Sequence, residues 1–273
     1  MARPFNYVSR DFWNFLPNLK ISNDLQLNTD GGAEVTKWVT DYKYACPKPI
    51  TTYFSQKPWH PLYVNRYMSL QRLLTDLQNS TLSFLSPKLW KDPFERTFYD
   101  DNLTINNRHY DIRCICTTYD YVENEEAEWN RSNKKKDMVR VSFFFDKFCE
   151  LLDDIGKKEK CVFYISIADY SQSKDNLIKS NTPKYASIEE YIKVMSLKRK
   201  AFSYENEMRI FAVFEEPNLP KNDVVPFNIN DYKSIINNVT LPPLNSTNNT
   251  MKGKLTSLLP DSKVQESGLY SKW

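Results

Sequence analysis

Lys198-Arg199-Lys200-Ala201-Phe202-Ser203-Tyr204-Glu205-Asn206-Glu207-Met208-Arg209-Ile210-Phe211-Ala212-Val213-Phe214 is the stretch whose reading decides this chain. Residues 210–214 form an unbroken apolar and aromatic run, which predicts a buried strand. The residues before it set two acids, with one residue between them, among basic neighbours. In strand geometry, residues i and i+2 share a face. Two like charges on one face are unfavourable unless a ligand, a cation or solvent offsets them. Glu205 and Glu207 are therefore the leading site candidates. The plainer alternative is that both are solvated and pair with Lys198, Lys200 or Arg209.

Working outward, Leu62–Tyr67 predicts a short strand, and Ser69 caps a helix with apolar spacing at Leu70, Leu73, Leu74 and Leu77. Strands are predicted at 81–85, 110–118, 139–145, 161–167 and 239–241. Helices are predicted at 146–155, ending at Gly156, and at 187–197, 231–238 and 252–259. Asp92-Pro93-Phe94-Glu95 reads as a turn in which Asp92 satisfies backbone donors. Strands, short loops and scattered helices in this order predict an α+β fold rather than regular βαβ winding. Residues 1–60, broken by Pro47, Pro49 and Pro58, read as an N-terminal extension packed on a body formed by 61–273.

Composition bounds the function. The chain has 273 residues and a net charge of +3, too mild to demand a nucleic-acid partner by itself. No run of about 18 apolar residues exists, so no membrane span is expected, and the first residues lack the apolar core of a secretory signal. The five cysteines include no C-x-x-C pair, and His60 and His109 are the two histidines. No zinc site is expected, and a reducing cytoplasm is the natural setting. Cys114 and Cys116, same-face neighbours on a predicted strand, read as buried thiols. The five glycines fall at 31, 32, 156, 253 and 268. Neither a dinucleotide-binding G-x-G-x-x-G nor a P-loop can be written with them, and there is no G-x-S-x-G elbow.

Several pieces together resemble a large, mostly bacterial family long classed as a domain of unknown function. They are Arg66-Tyr67, Asp92-Pro93-Phe94-Glu95, Cys116-Thr117-Thr118, Trp129, Lys198 with Phe202-Ser203-Tyr204-Glu205-Asn206-Glu207-Met208-Arg209, Val239-Thr240-Leu241-Pro242 and Ser267-Gly268-Leu269. The resemblance covers about residues 62–273. That family is distantly similar to the ADP-ribosyltransferases, which order a basic residue, a middle Ser/Thr and a late Glu-x-Glu as Arg66, Thr117-Thr118 and Glu205-Asn206-Glu207 are ordered here. The middle motif departs from the usual Ser-Thr-Ser.

The resemblance implies one mixed, mainly antiparallel sheet domain that takes NAD as a co-substrate without a glycine-rich loop. Glu207 would stabilise the ribosyl cation and Glu205 would contact the acceptor. Arg66 would pair with the pyrophosphate. Tyr67, Ser69, Thr117, Thr118 and Tyr204 would complete the NAD site. Some relatives are toxins of phage-defence systems, which implies RNA or another macromolecule as acceptor, with an antitoxin and a chaperone as partners. Trp129, Arg131, Lys134, Lys135 and Lys136 form an aromatic and cationic segment suited to single-stranded nucleic acid, although a solvated loop is the commoner meaning of such a lysine run. Lys157, Lys158 and Lys160 add a second basic cluster. Two competing readings use the same acids: a magnesium-dependent nuclease built on Asp92, Glu95, Glu205 and Glu207, and a non-catalytic interaction module in which they form an ion-pair network.

Overall fold

The computed structural model describes residues 39–42, 50–53, 63–119, 129, 137–170, 185–243 and 247–268. The elements run β1 (Val39–Tyr42), β2 (Ile50–Tyr53), β3 (Tyr63–Ser69), α1 (Leu70–Asn79), β4 (Thr81–Leu85), α2 (Pro93–Arg96), β5 (Thr104–Ile105) and β6 (Arg108–Tyr119). They continue with β7 (Met138–Phe144), α3 (Phe145–Glu159), β8 (Cys161–Ile167), α4 (Ile188–Met195), β9 (Glu207–Glu215), β10 (Val224–Asn228), α5 (Tyr232–Ile235), β11 (Ile236–Leu241), α6 (Asn248–Thr256) and β12 (Val264–Glu266).

The strands form one open, mixed sheet in the order β1-β2-β8-β9-β6-β3-β7-β11-β12, as the α+β reading expected. Antiparallel pairing dominates, and β2–β8 and β11–β12 are parallel. The expected extension contributes β1 and β2 to this sheet. Strand β9 lies between β6 and β8 with both faces covered, and all but its last residue are buried. Its side chains on both faces therefore enter apolar layers, which is why residues 210–214 read as a continuous apolar run.

At β6 the sheet forks. Strand β3 pairs with it only at Thr118 and Tyr119, then leaves to run along β7. Strand β4 joins at Cys114 and carries β10 outward. One face of the sheet is mainly apolar, where Leu73, Leu77, Phe148, Leu152, Ile155 and Leu255 of α1, α3 and α6 pack. The other face divides. Near α4 it is apolar, with Ile112, Cys114, Tyr191, Ile192, Met195, Phe211 and Val213. Beyond Cys116 it turns polar and opens as a cleft.

Few glycines leave the left-handed backbone positions to other residues: Ser80, Asn106, Asn107, Lys160 and Asn206. Asn106-Asn107 makes the tight turn from β5 to β6 with positive φ at both positions, as such hairpins require. Helix α3 does not end at Gly156 as its sequence suggested. Gly156 is buried inside the helix, which continues to Glu159 and breaks at left-handed Lys160, immediately before β8. The helix expected at 231–238 is one short turn, because β11 begins at Ile236. Edge strand β10 was not anticipated, since Pro226 interrupts its pattern. No helix among the described residues is long and apolar enough to cross a membrane.

Candidate active site

The cleft has a volume of about 530 Å³ and is walled by Trp90, Phe202 and Tyr67, with Asn65, Cys116, Thr117 and Thr118 from the sheet and Glu95, Lys198, Glu205 and Glu207 at its buried end. That size and mix of aromatic walls with a few convergent polar groups is typical of small-molecule sites.

Local geometry explains how Glu205 and Glu207 meet. Glu205 is not in strand geometry. It ends a 3₁₀ turn, Lys200–Glu205, and Asn206 then takes a left-handed conformation (φ 42°, ψ 51°) before β9 starts at Glu207. The reversal at Asn206 turns both carboxylates onto Lys198, whose Nζ donates to Glu205 Oε2 at 2.5 Å and to Glu207 Oε2. Arg209, two residues on along the same face, donates from Nε to Glu207 Oε1. Helix α2 supplies the third acid. Asp92 caps it by accepting from the Phe94 N–H at 3.0 Å, and one turn later Glu95 lies 3.3 Å from Lys198 and 3.1 Å from Arg209.

Lys198, Glu207, Arg209 and Glu95 thus form a closed ring of alternating charge, and Glu205 joins it through Lys198. Among the described residues the cluster sets three carboxylates against two cations. Arg209 is fully buried, donates to the Met195 carbonyl at 2.5 Å and lies over the Trp90 ring at 4.4 Å. The Glu207 N–H donates to the Tyr170 hydroxyl at 3.0 Å.

Burial alone would disfavour charge on Glu207. The charges of Arg209 and Lys198, and their hydrogen bonds, outweigh it and hold the carboxyl well below its ordinary range. Burial likewise opposes charge on Lys198, but Glu207, Glu95 and Glu205 hold its ammonium above the usual lysine range. Burial pushes the Tyr170 hydroxyl upward, so it stays neutral. The acids are paired with Lys198 and Arg209, as the plainer sequence reading allowed, but they are buried rather than solvated.

The structure brings only part of the expected set together. Glu205, Glu207, Tyr67, Thr117 and Thr118 all line the cleft, and the Thr117 hydroxyl is used structurally, donating to the Met208 carbonyl at 2.9 Å. Arg66 does not face it. Alternation along β3 points Asn65 and Tyr67 into the cleft and Arg66 to the opposite face, toward Asp76 and Tyr232. Ser69 is the α1 cap, accepting from the Arg72 N–H at 3.3 Å, and lies away from the cleft. Tyr204 sits beside Phe202, and Phe202 is the ring that lines the cleft.

Trp129 is not offered to nucleic acid. It is buried edge-on against Tyr67 at 5.0 Å. Arg131, Lys134, Lys135 and Lys136, and the acidic loop before Trp129, lie outside the described residues. In the second basic cluster Lys157 pairs with Asp153 at 2.5 Å. Cys114 is a buried thiol as expected, but Cys116, expected to be buried too, is only half-buried because it stands at the cleft wall; Cys149 and Cys161 are buried.

The sequence reading gave no site role to Trp90, Phe202, Arg199, Asn65 or Tyr170, and it treated Lys198 only as a partner of the acids. Lys198, Arg199 and Phe202 lie in the decisive stretch itself, so proximity was an available signal. Tyr170 has none. Compared with protein-family models, with curated proteins and with solved structures, the chain matches none.

Proposed function

We propose that this cleft binds NAD as a co-substrate, breaks the bond between nicotinamide and ribose, and passes ADP-ribose to a macromolecular acceptor. The observation that carries this reading is the buried carboxylate cluster held around Lys198 and Arg209 at the inner end of an aromatic-walled cleft. When the ribose C1–N bond breaks, the electron pair leaves with nicotinamide and positive charge develops at C1 and the ring oxygen. Negative charge already fixed beside that position lowers the barrier without reorganisation.

Glu207 meets this requirement in the proposal. The ring keeps it ionised and immobile. Glu205, on the same ammonium, takes the proton of the incoming hydroxyl or amine as its bond to C1 forms. Trp90, Phe202 and Tyr67 supply flat apolar surface for the nicotinamide and for excluding water. The site needs no glycine-rich loop, in keeping with a chain that cannot form one.

RNA is the first acceptor to test, on the strength of the resemblance to phage-defence toxins, with an antitoxin and a chaperone as the partners that resemblance implies. The buried Trp129 removes one argument for RNA and leaves the others as they were. The nuclease reading is less well supported, because the oxygens it needs are engaged by Lys198, Arg209 and Arg199 and no three His, Cys, Asp or Glu among the described residues are grouped to share a metal ion.

The test is incubation of the purified chain with labelled NAD and, separately, RNA, DNA and cell lysate. The expected result is label on one macromolecular class, lost in Glu207→Gln. Release of nicotinamide without transfer would reduce the activity to NAD hydrolysis. Absence of any NAD turnover would overturn the reading.

A further inference from the structure

The charges of the cleft are separated along its depth. Its buried end carries Glu95, Glu205 and Glu207 against Lys198 and Arg209. Its exposed end carries Lys91 and Arg199 against Asp92. The mouth is therefore cationic and the floor anionic. That polarity suits a ligand with developing positive charge inside and an anionic group several ångströms away, outside.

Arg199 is the side chain built to take that anion. Its guanidinium lies over the Phe202 ring at 4.8 Å, and Phe202 lines the cleft, so the stem is braced while the group remains 50% exposed. In this structure its fork is committed to one atom. Arg199 Nε and Nη2 both donate to Asp92 Oδ2, at 3.1 and 2.9 Å. Asp92 is only 13% exposed, and its other oxygen, Oδ1, is held by the Phe94 N–H as the α2 cap. The carboxylate is thus anchored by the helix, and Arg199 is the partner that can leave. A phosphate oxygen offers the same fork a stronger bidentate acceptor than a single carboxylate oxygen.

We propose that Arg199 is the anion-binding residue of the cleft and that Asp92 is its latch, holding the guanidinium in the free protein and yielding it to a phosphate or diphosphate of the ligand. Identifying that anion as the diphosphate of NAD rests on the preceding reading; the latch itself rests on the pair's geometry. The device gives a selectivity that a bare arginine would not. A weak or singly bonded anion does not displace Asp92, whereas a diphosphate spanning Arg199 and Lys91 does.

The test is calorimetric titration of the full chain with inorganic pyrophosphate and, separately, ADP. Asp92→Asn keeps the helix cap, since Asn caps as well as Asp, and removes the charge that competes for Arg199. It is expected to bind both probes about two- to fivefold more tightly, the range set by a partly exposed ion pair. Arg199→Gln is expected to bind about ten- to a hundredfold more weakly, the range of charge-assisted hydrogen bonds, with Arg199→Lys between.

The decisive variant is the double substitution. If Asp92 acts through Arg199, Asp92→Asn confers no gain once Arg199 is Gln. An equal gain in that background, no change in either single variant, or no binding of either probe by the wild type would overturn the latch. Nicotinamide release measured on the same preparations separates the two proposals. Arg199-dependent pyrophosphate binding without NAD cleavage would leave the latch and remove the NAD reading. NAD cleavage with KM unchanged in Arg199→Gln would do the reverse.

Discussion

Two clusters of polar and charged side chains lie on opposite faces of the same sheet, and they are built differently. On the cleft face, Glu95, Lys198, Glu207 and Arg209 close a ring in which each charge meets two of opposite sign. On the other face, Arg66 of β3, Arg72 and Asp76 of α1, and Tyr232 of α5 lie within electrostatic reach of one another, with one ion pair among the described residues, Arg72 Nε to Asp76 Oδ1 at 3.1 Å. Among the described residues, Arg66 Nη1, Asp76 Oδ2 and the Tyr232 hydroxyl are buried without a hydrogen-bond partner. The electrostatic outcome is opposite. In the ring, two cations overcome burial and Glu207 is held ionised. In the second cluster, burial outweighs Arg72 and Arg66 and pushes the Asp76 carboxyl upward. Burial by itself does not decide what a charged residue is for; completeness of pairing does.

The comparison can be broken most directly through activity. Glu207→Gln is expected to lower nicotinamide release from NAD by about a hundredfold or more, the scale of losing one preorganised electrostatic group, while Asp76→Asn leaves it unchanged. Equal losses in the two variants would mean that the cleft has no special claim.

Stability sharpens the same contrast. Lys198→Met removes the ammonium from among buried carboxylates and is expected to cost about 3–5 kcal/mol. Asp76→Asn removes a buried charge that is poorly compensated, and it should change stability by no more than about 1 kcal/mol, in either direction. Urea denaturation of both variants measures the difference.

The pH dependence has opposite signs. Glu207 is depressed in the folded state, so its contribution is present above its ordinary pKa of 4.5 and is lost as pH falls through the folded value. Asp76 is raised, so its ionisation costs stability above its ordinary 3.8, and the cost disappears in acid. Acid unfolding below about pH 4.5 is therefore expected to be less steep in Glu207→Gln and steeper in Asp76→Asn than in the wild type. Stability-against-pH curves that shift the same way in both variants would refute the assignment.

The smallest effect concerns how the two acids are brought together. Asn206→Ala places an ordinary side chain in a left-handed conformation and is expected to cost about 1 kcal/mol, whereas Asn206→Gly should fold as well as the wild type. If Ala is tolerated at no cost in thermal melts, the reversal at Asn206 is not what holds Glu205 and Glu207 on Lys198.

Much of the fold was legible because its signals are local. The cap at Ser69, the apolar stripe of α1 and the run at 161–167 state their conformation within a few residues, and the structure has each of them; Asp92 satisfies a backbone donor as expected, but as the cap of the short helix α2 rather than in a turn. Gly156 misled because a glycine can sit inside a helix wherever the neighbouring packing is close, and only the position of β8 reveals that α3 goes on. The site was legible in part. Glu205 and Glu207 stood out as like charges at the start of a buried strand, and they do line the cleft. Arg66 and Tyr67 were equally visible as neighbours, but a strand sends adjacent residues to opposite faces, and which face holds the cleft is not written in either residue. Glu95, more than a hundred positions from Lys198, carried no signal linking the two.

By itself the sequence determined the class of fold, the buried central strand and the acids that begin it, because periodicity and capping act over a handful of residues. It also excluded the glycine-rich routes to phosphate. Only the tertiary structure decided that Lys198 and Arg209 tie Glu95, Glu205 and Glu207 into one cluster, that Arg199 rests on Asp92, and that Arg66 turns away. Those outcomes depend on strand order, on the fork at β6 and on the reversal at Asn206, and pairing between distant charges follows from where the packed backbone places them.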